Sequence, residues 1–127
     1  MRHTAREKAF QVIYQMDLNE NTLDFALGSV LEEAELGQEA ADFCRSLAAG
    51  TLEKRSEIDE MIQAHTENWK IERMPSVDRN ILRLAVYELL YCPEVPDKVA
   101  IDEAIELAKL YSDDKAPRFI NSVLDKI

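Results

Sequence analysis

The chain has 127 residues, 46% hydrophobic and 31% charged, with a formal net charge of −10. That is enough apolar material for one folded core and excludes a disordered chain, and no apolar run reaches the roughly 20 residues that a membrane-spanning helix needs. An evenly acidic surface would also exclude nucleic acid, but the charge is uneven. Eleven acidic and three basic residues lie between positions 19 and 60, whereas residues 1–18 carry Arg2, Arg6 and Lys8 against Glu7 and Asp17, and residues 115–127 carry Lys115, Arg118 and Lys126 against Asp125. If the two ends meet in the fold, they make a basic patch on an acidic protein. The N-terminus lacks the apolar stretch of a signal peptide, and Cys44 and Cys92 stand far apart with no CxxC spacing. A cytoplasmic protein with reduced, buried cysteines is expected.

Strand signals are missing, and helix signals recur from end to end. Thr4-Ala5-Arg6-Glu7 reads as a capping box, and Ala5, Ala9, Val12, Ile13 and Met16 repeat at helical spacing after it, predicting a helix from about Thr4 to Leu18. Asn21 or Thr22 caps a second helix whose stripe is Leu23, Ala26, Leu27, Val30, Leu31 and Ala34, with Gly37 as its stop. A third begins near Gln38. Gly50 inside it costs about 1 kcal/mol of helix propensity and so points to a close helix contact. Residues 38–68 read equally as one bent helix or as two, the second capped by Ser56.

Lys70–Pro75 is a short link to the most apolar stretch, Ser76–Tyr91. Pro75 bars a helix from running in, Ser76 is placed to cap, and Pro93 and Pro96 end it. Its apolar residues cover well over half of the helical wheel, so it is expected between other helices and as the most buried of them. Glu88 falls on that apolar face. A carboxylate there needs a helix N-terminus or a cation, which makes it a structural tie before a catalytic group. Pro96 opens a further helix, residues 112–116 form a loop, and Pro117 starts a last helix with the stripe Phe119, Ile120, Val123, Leu124 and Ile127. The fold class expected is all-α, with about seven helices joined by short links.

The chemistry on offer is thin. His65 lies on an apolar face and His3 at a terminus, neither with metal or nucleophile spacing, and no glycine-rich loop can cradle a phosphate. No catalytic residue, metal ligand or cofactor is expected. Arg2, His3, Arg6 and Lys8, followed by Gln11 and Tyr14 on the same helix, combine cations with an aromatic ring, as single-stranded nucleic acid requires; Lys115, Arg118 and Phe119 repeat the combination near the far end.

Ala5-Arg6-Glu7 with Gln11 and Tyr14, Glu67-Asn68-Trp69, the run Pro75 to Arg83, Tyr87-Glu88-Leu89-Leu90, the run Val95 to Ala104 and the run Phe119 to Lys126 together resemble the NusB family of bacterial transcription antitermination factors. The likeness spans the chain and is dense from Glu67 onward. It implies a single domain over 1–127 built of two packed three-helix-type bundles, about 1–68 and 69–127, and a non-enzymatic role. It implies boxA RNA and the small-subunit ribosomal protein NusE as partners within an RNA polymerase antitermination complex that reads through terminators, notably in rRNA operons. In the family an arginine-rich N-terminal segment meets RNA; Arg2 and Arg6 match it, and Tyr14 and Phe119 match aromatic positions. The N-terminal arm is short, with fewer arginines than many relatives, so weak RNA affinity without the partner is expected; Ser122 stands where the family usually has glycine, which slightly alters backbone packing of the last helix. A related domain precedes some rRNA cytosine methyltransferases, but a chain ending at Ile127 leaves no room for their cofactor domain.

The RNA surface expected is therefore Arg2, His3, Arg6, Gln11, Tyr14, Lys115, Arg118 and Phe119 converging on one face. Glu72 and Asp78, expected exposed at the entry to the central helix, are the expected contacts for the basic protein partner. The competing reading is an all-helical protein–protein adaptor without sequence-specific RNA binding. Monomer or homodimer is left open.

Overall fold

The structure, a computed structural model, describes residues 2–66 and 68–127; Glu67 of the family-like motif lies outside them. The described residues form seven α-helices and one short 3-10 turn: α1 (Arg2–Leu18), α2 (Leu23–Ala34), α3 (Gln38–Glu53), α4 (Arg55–Ala64), the turn Ile71–Arg73, α5 (Ser76–Tyr91), α6 (Asp97–Tyr111) and α7 (Ala116–Asp125). Among them no strand occurs, and no helix is long and apolar enough to cross a membrane.

Helix α5 has the bounds that its prolines predict and touches α1, α3, α4, α6 and α7. Nine of its residues are buried, more than in any other helix, so it is the core element expected. Helices α1, α2 and α3 pack together on one side of it and α6 and α7 on the other, while α4 lies mainly along α5. Gly50 of α3 is where α5 comes closest. A Cβ there would overlap the ring of Tyr87, so the glycine disfavoured in a helix is required by a contact. Helices α1 and α6 run in the same direction, since His3 meets Glu103 and Gln11 meets Tyr111.

Several local expectations need correction. Helix α1 already runs through Thr4, and Glu7 accepts from Tyr111 instead of closing a capping box. Thr22 does cap α2, its hydroxyl accepting from the Phe25 N–H at 3.1 Å. The left-handed residue ending α2 is Glu35, at φ 51°, and Gly37 instead precedes α3. Residues 38–64 are two helices broken at Lys54, with Ser56 inside the second. Ser76 is the first residue of α5 rather than its cap; its hydroxyl donates to Asp17 at 3.3 Å. Both cysteines are free, with thiols pushed up to about 11 by burial.

Candidate nucleic-acid interface

The start of α1 brings two of the expected residues, Arg2 and His3, to the surface between α3 and α6, and buries a third, Arg6. Arg2 is exposed and lays its guanidinium 4.2 Å from the centroid of Phe43. His3 is exposed, with Nδ1 2.7 Å from a carboxylate oxygen of Glu103. Arg6 is different. It points inward, its Nε donating to both oxygens of Glu88 at 2.9 and 3.0 Å, and the two side chains are 5% and 2% exposed. Glu88 thus has the basic partner that its position demands. Burial still pushes its carboxyl above the ordinary range, opposed by the charge and hydrogen bond of Arg6. The Nε edge of Arg6 is thus committed to a buried carboxylate, and a phosphate would have to share the same guanidinium with Glu88.

One to two turns further on, Gln11 donates to the hydroxyl of Tyr111 at 2.7 Å, and that hydroxyl donates to Glu7. Tyr14 is half-buried and stacks on Phe10 at 5.7 Å, and Phe10 in turn lies 5.0 Å from the ring of Tyr111. Tyr111 is the last residue of α6, four positions before Lys115. Gln11 and Tyr14 are therefore tied to the turn that leads into α7. Arg2 and His3 are not; His3 and Gln11 are eight residues apart, about 12 Å along the helix axis.

At α7, Lys115 and Arg118 are exposed, and neither makes an ion pair among the described residues. The first backbone N–H groups of this helix, where the helix dipole favours negative charge, already have an anion: a carboxylate oxygen of Asp113 accepts from Lys115 N and Ala116 N at 3.0 Å each. Phe119 is half-buried and meets Trp69 edge to face, the centroids 6.4 Å apart at 62°. Trp69 is 49% exposed, and its segment is fixed by side chains of α4. Gln63 donates to the Trp69 carbonyl at 2.7 Å and accepts from Ile71 N at 3.0 Å. Beside this ring pair opens a cavity of about 270 Å³, lined by Trp69, Met74, Pro75, Asp78, Asp113, Lys115, Ala116 and Phe119. Trp69, Met74 and Asp113 were not singled out as site residues; a lone tryptophan in a short polar link was the available signal.

Of the expected partner residues, Glu72 is exposed. Asp78 is corrected: it is 7% exposed, with Oδ1 accepting from Ser112 Oγ at 2.5 Å. Burial pushes its carboxyl up, and nearby Asp113 adds to this against the Ser112 bond. Asp17, on the other side of the α5 start, is treated in the opposite way. Its Oδ2 accepts from Arg79 Nε at 2.7 Å and Asn80 Nδ2 at 2.8 Å, with Arg83 Nη1 at 3.3 Å. Burial alone would raise this carboxyl, but those hydrogen bonds and the Arg83 and Arg79 charges outweigh it and hold it below the usual range. Arg83 also forks onto Asp59 of α4, at 2.8 and 3.1 Å. This polar corner ties α1, α4 and α5 together and was not foreseen as a unit.

The chain matches the NusB family model over residues 3–127. It is 47% identical over 126 residues to the transcription antitermination protein NusB of Bacillus pumilus (strain SAFR-032), covering 99% of this chain and 93% of that one. Its fold is similar to T. maritima NusB, with a TM-score of 0.93, 36% identity and coverage of 99% and 89%. It is also similar, with a TM-score of 0.92, 32% identity and coverage of 98% and 93%, to a chain in the crystal structure of antitermination factors NusB and NusE in complex with dsRNA.

Proposed function

The chain belongs to the NusB family, and from that premise we propose that it is an RNA-binding transcription antitermination factor that binds boxA RNA together with the ribosomal protein NusE. The observation carrying this reading is the match of nearly the whole fold to a factor solved with NusE and double-stranded RNA. The action is placed in the cytoplasm, in an RNA polymerase antitermination complex that reads through terminators, rRNA operons included. The α7 region suits the RNA side best, because Lys115 and Arg118 are exposed cations and Phe119 and Trp69 offer rings for unpaired bases. Gln11 and Tyr14 extend that surface through Tyr111, and Arg2 and His3 supply a second, separate contact at the start of α1. Arg6 supports the surface indirectly, by anchoring α1 to α5 through Glu88.

NusE is assigned to the half built from α5, α6 and α7, with exposed Glu72 helping to steer a basic partner. Titrating a boxA RNA and a scrambled RNA of equal length, with and without NusE, tests the proposal. The expected outcome is a preference for boxA that strengthens when NusE is present. Equal binding of both RNAs in both conditions would replace this reading with the protein–protein adaptor.

A further inference from the structure

We propose that the cavity lined by Trp69 and Phe119 takes one unstacked nucleobase, and that Asp78 selects a base with an exocyclic amine, cytosine or adenine, over uracil. This deepens the RNA-binding reading and rests on it. The volume, about 270 Å³, lies just below the range of small-ligand pockets, roughly 300 Å³ and upward, which suits a ring better than an extended ligand. Two walls are aromatic, and Trp69 keeps half of its surface open for stacking. Lys115 lies on the same lining, where a phosphate attached to a bound base can reach it.

Asp78 supplies the selectivity. Its Oδ1 accepts from Ser112, and no donor among the described residues meets Oδ2. Yet no buried side-chain oxygen or nitrogen among the described residues lacks a partner, so Oδ2 is not sealed away; it opens to solvent from a residue that lines the cavity. An ionised carboxylate only accepts hydrogen bonds. The amino group of cytosine or adenine satisfies it, whereas the carbonyl that uracil presents at the same place faces it lone pair to lone pair. A basic side chain from a protein partner would also suit Asp78 but would meet Lys115 on the same lining, and it would gain nothing from discrimination between bases.

The experiment measures the affinity of boxA RNAs for the complex with NusE, changing one position at a time from cytosine to uracil or from adenine to inosine. Each change swaps an amine for a carbonyl and turns the adjoining ring nitrogen from an acceptor into an N–H donor, so the donor moves by one ring position and no longer meets a fixed Asp78 oxygen. One position is expected to lose about tenfold in affinity, the size of a single discriminating hydrogen bond. Asp78→Asn keeps an oxygen for Ser112 and turns an amide donor toward the cavity, so the preference at that position should disappear or invert. Trp69→Ala, at a half-exposed site, should weaken binding and abolish the same preference without disturbing the Ser112 bond. If boxA is still bound over scrambled RNA but both variants keep the wild-type preference at every position, the inference fails and the proposed function stands. If Asp78→Asn instead weakens NusE binding in the absence of RNA and leaves base preference alone, the cavity holds a protein side chain and the inference is overturned. Loss of any distinction between boxA and scrambled RNA in the wild type removes the functional reading itself.

Discussion

Arg6 near one end of the chain and Lys115 near the other are both cations beside an aromatic ring, yet their surroundings differ completely. Arg6 has a side chain 5% exposed and lies 5.4 Å from the ring of Phe43, its guanidinium held by Glu88. Lys115 faces solvent on the lining of an open cavity with Phe119. What separates them is the neighbouring helix. Glu88 sits on the core face of α5, and a buried carboxylate draws the nearest cation inward, because a bare one is far more costly than a pair. Two acids precede Lys115, Asp113 and Asp114; Asp113 accepts from two backbone N–H groups, and among the described residues no carboxylate pairs with the ammonium.

The largest effect expected from this contrast is on stability. Arg6→Ala leaves Glu88 buried without its cation and should cost about 3–5 kcal/mol, whereas Lys115→Ala should stay within about 0.5 kcal/mol. Urea unfolding of the two variants measures this directly. Equal, small losses would put Arg6 back among the surface cations. Glu88→Gln should also lower stability, and the folded fraction should keep its RNA preference.

Asp17 gives a second test of what pairing does to a charged group. Its carboxyl is held below the usual range in the fold, so its ionised form is favoured there. The stabilisation is complete above the ordinary Asp value of about 3.9 and is lost as the pH falls through the lower, folded value. Asp17→Asn should therefore cost stability at neutral pH, with the gap to wild type closing in stronger acid. A gap independent of pH would mean that Arg79 and Arg83 stabilise the corner by packing alone.

How much of this was legible follows from the range of each interaction. The bounds of α5 were written in Pro75 and Pro93, and the apolar surroundings of Glu88 announced a buried tie. Gly50 announced a close approach, now seen as Tyr87. What stayed hidden was choice of partner at a distance. Glu7 looked committed to a local cap but meets Tyr111, 104 residues away. Asp17 meets Arg79 and Asn80 at separations of 62 and 63 residues, which no local pattern encodes. Asp78 looked exposed because it opens a helix, yet Ser112 from the α6–α7 link covers it. Among the site residues, the types were readable, while the separation of Arg2 and His3 from the α7 group depends on the parallel course of α1 and α6.

On RNA affinity, the rings come before the charges. Phe119→Ala should cost about 1–3 kcal/mol of boxA binding by the complex with NusE, with the salt dependence nearly unchanged. A change in salt slope without loss at high salt would show that the substitution disturbs Lys115 and removes no stacking.

The smallest effect is the most discriminating. For single-stranded RNA, each phosphate contact contributes about 0.7 to the slope of log affinity against log salt, through the counterions it releases. Lys115→Ala and Arg118→Ala should each flatten the slope by about that amount if each meets one phosphate, and should weaken boxA and scrambled RNA alike, since a phosphate contact does not read sequence. Arg6→Lys keeps a cation opposite Glu88, although it exchanges a forked donor for a point charge, and so keeps enough of the fold to be assayed. Its slope should match wild type, because the cation at this position is only 5% exposed and serves Glu88. A slope flattened by Arg6→Lys and untouched by Lys115→Ala would reverse the assignment, placing the RNA backbone at the start of α1 and requiring the Arg6–Glu88 pair to open when RNA binds.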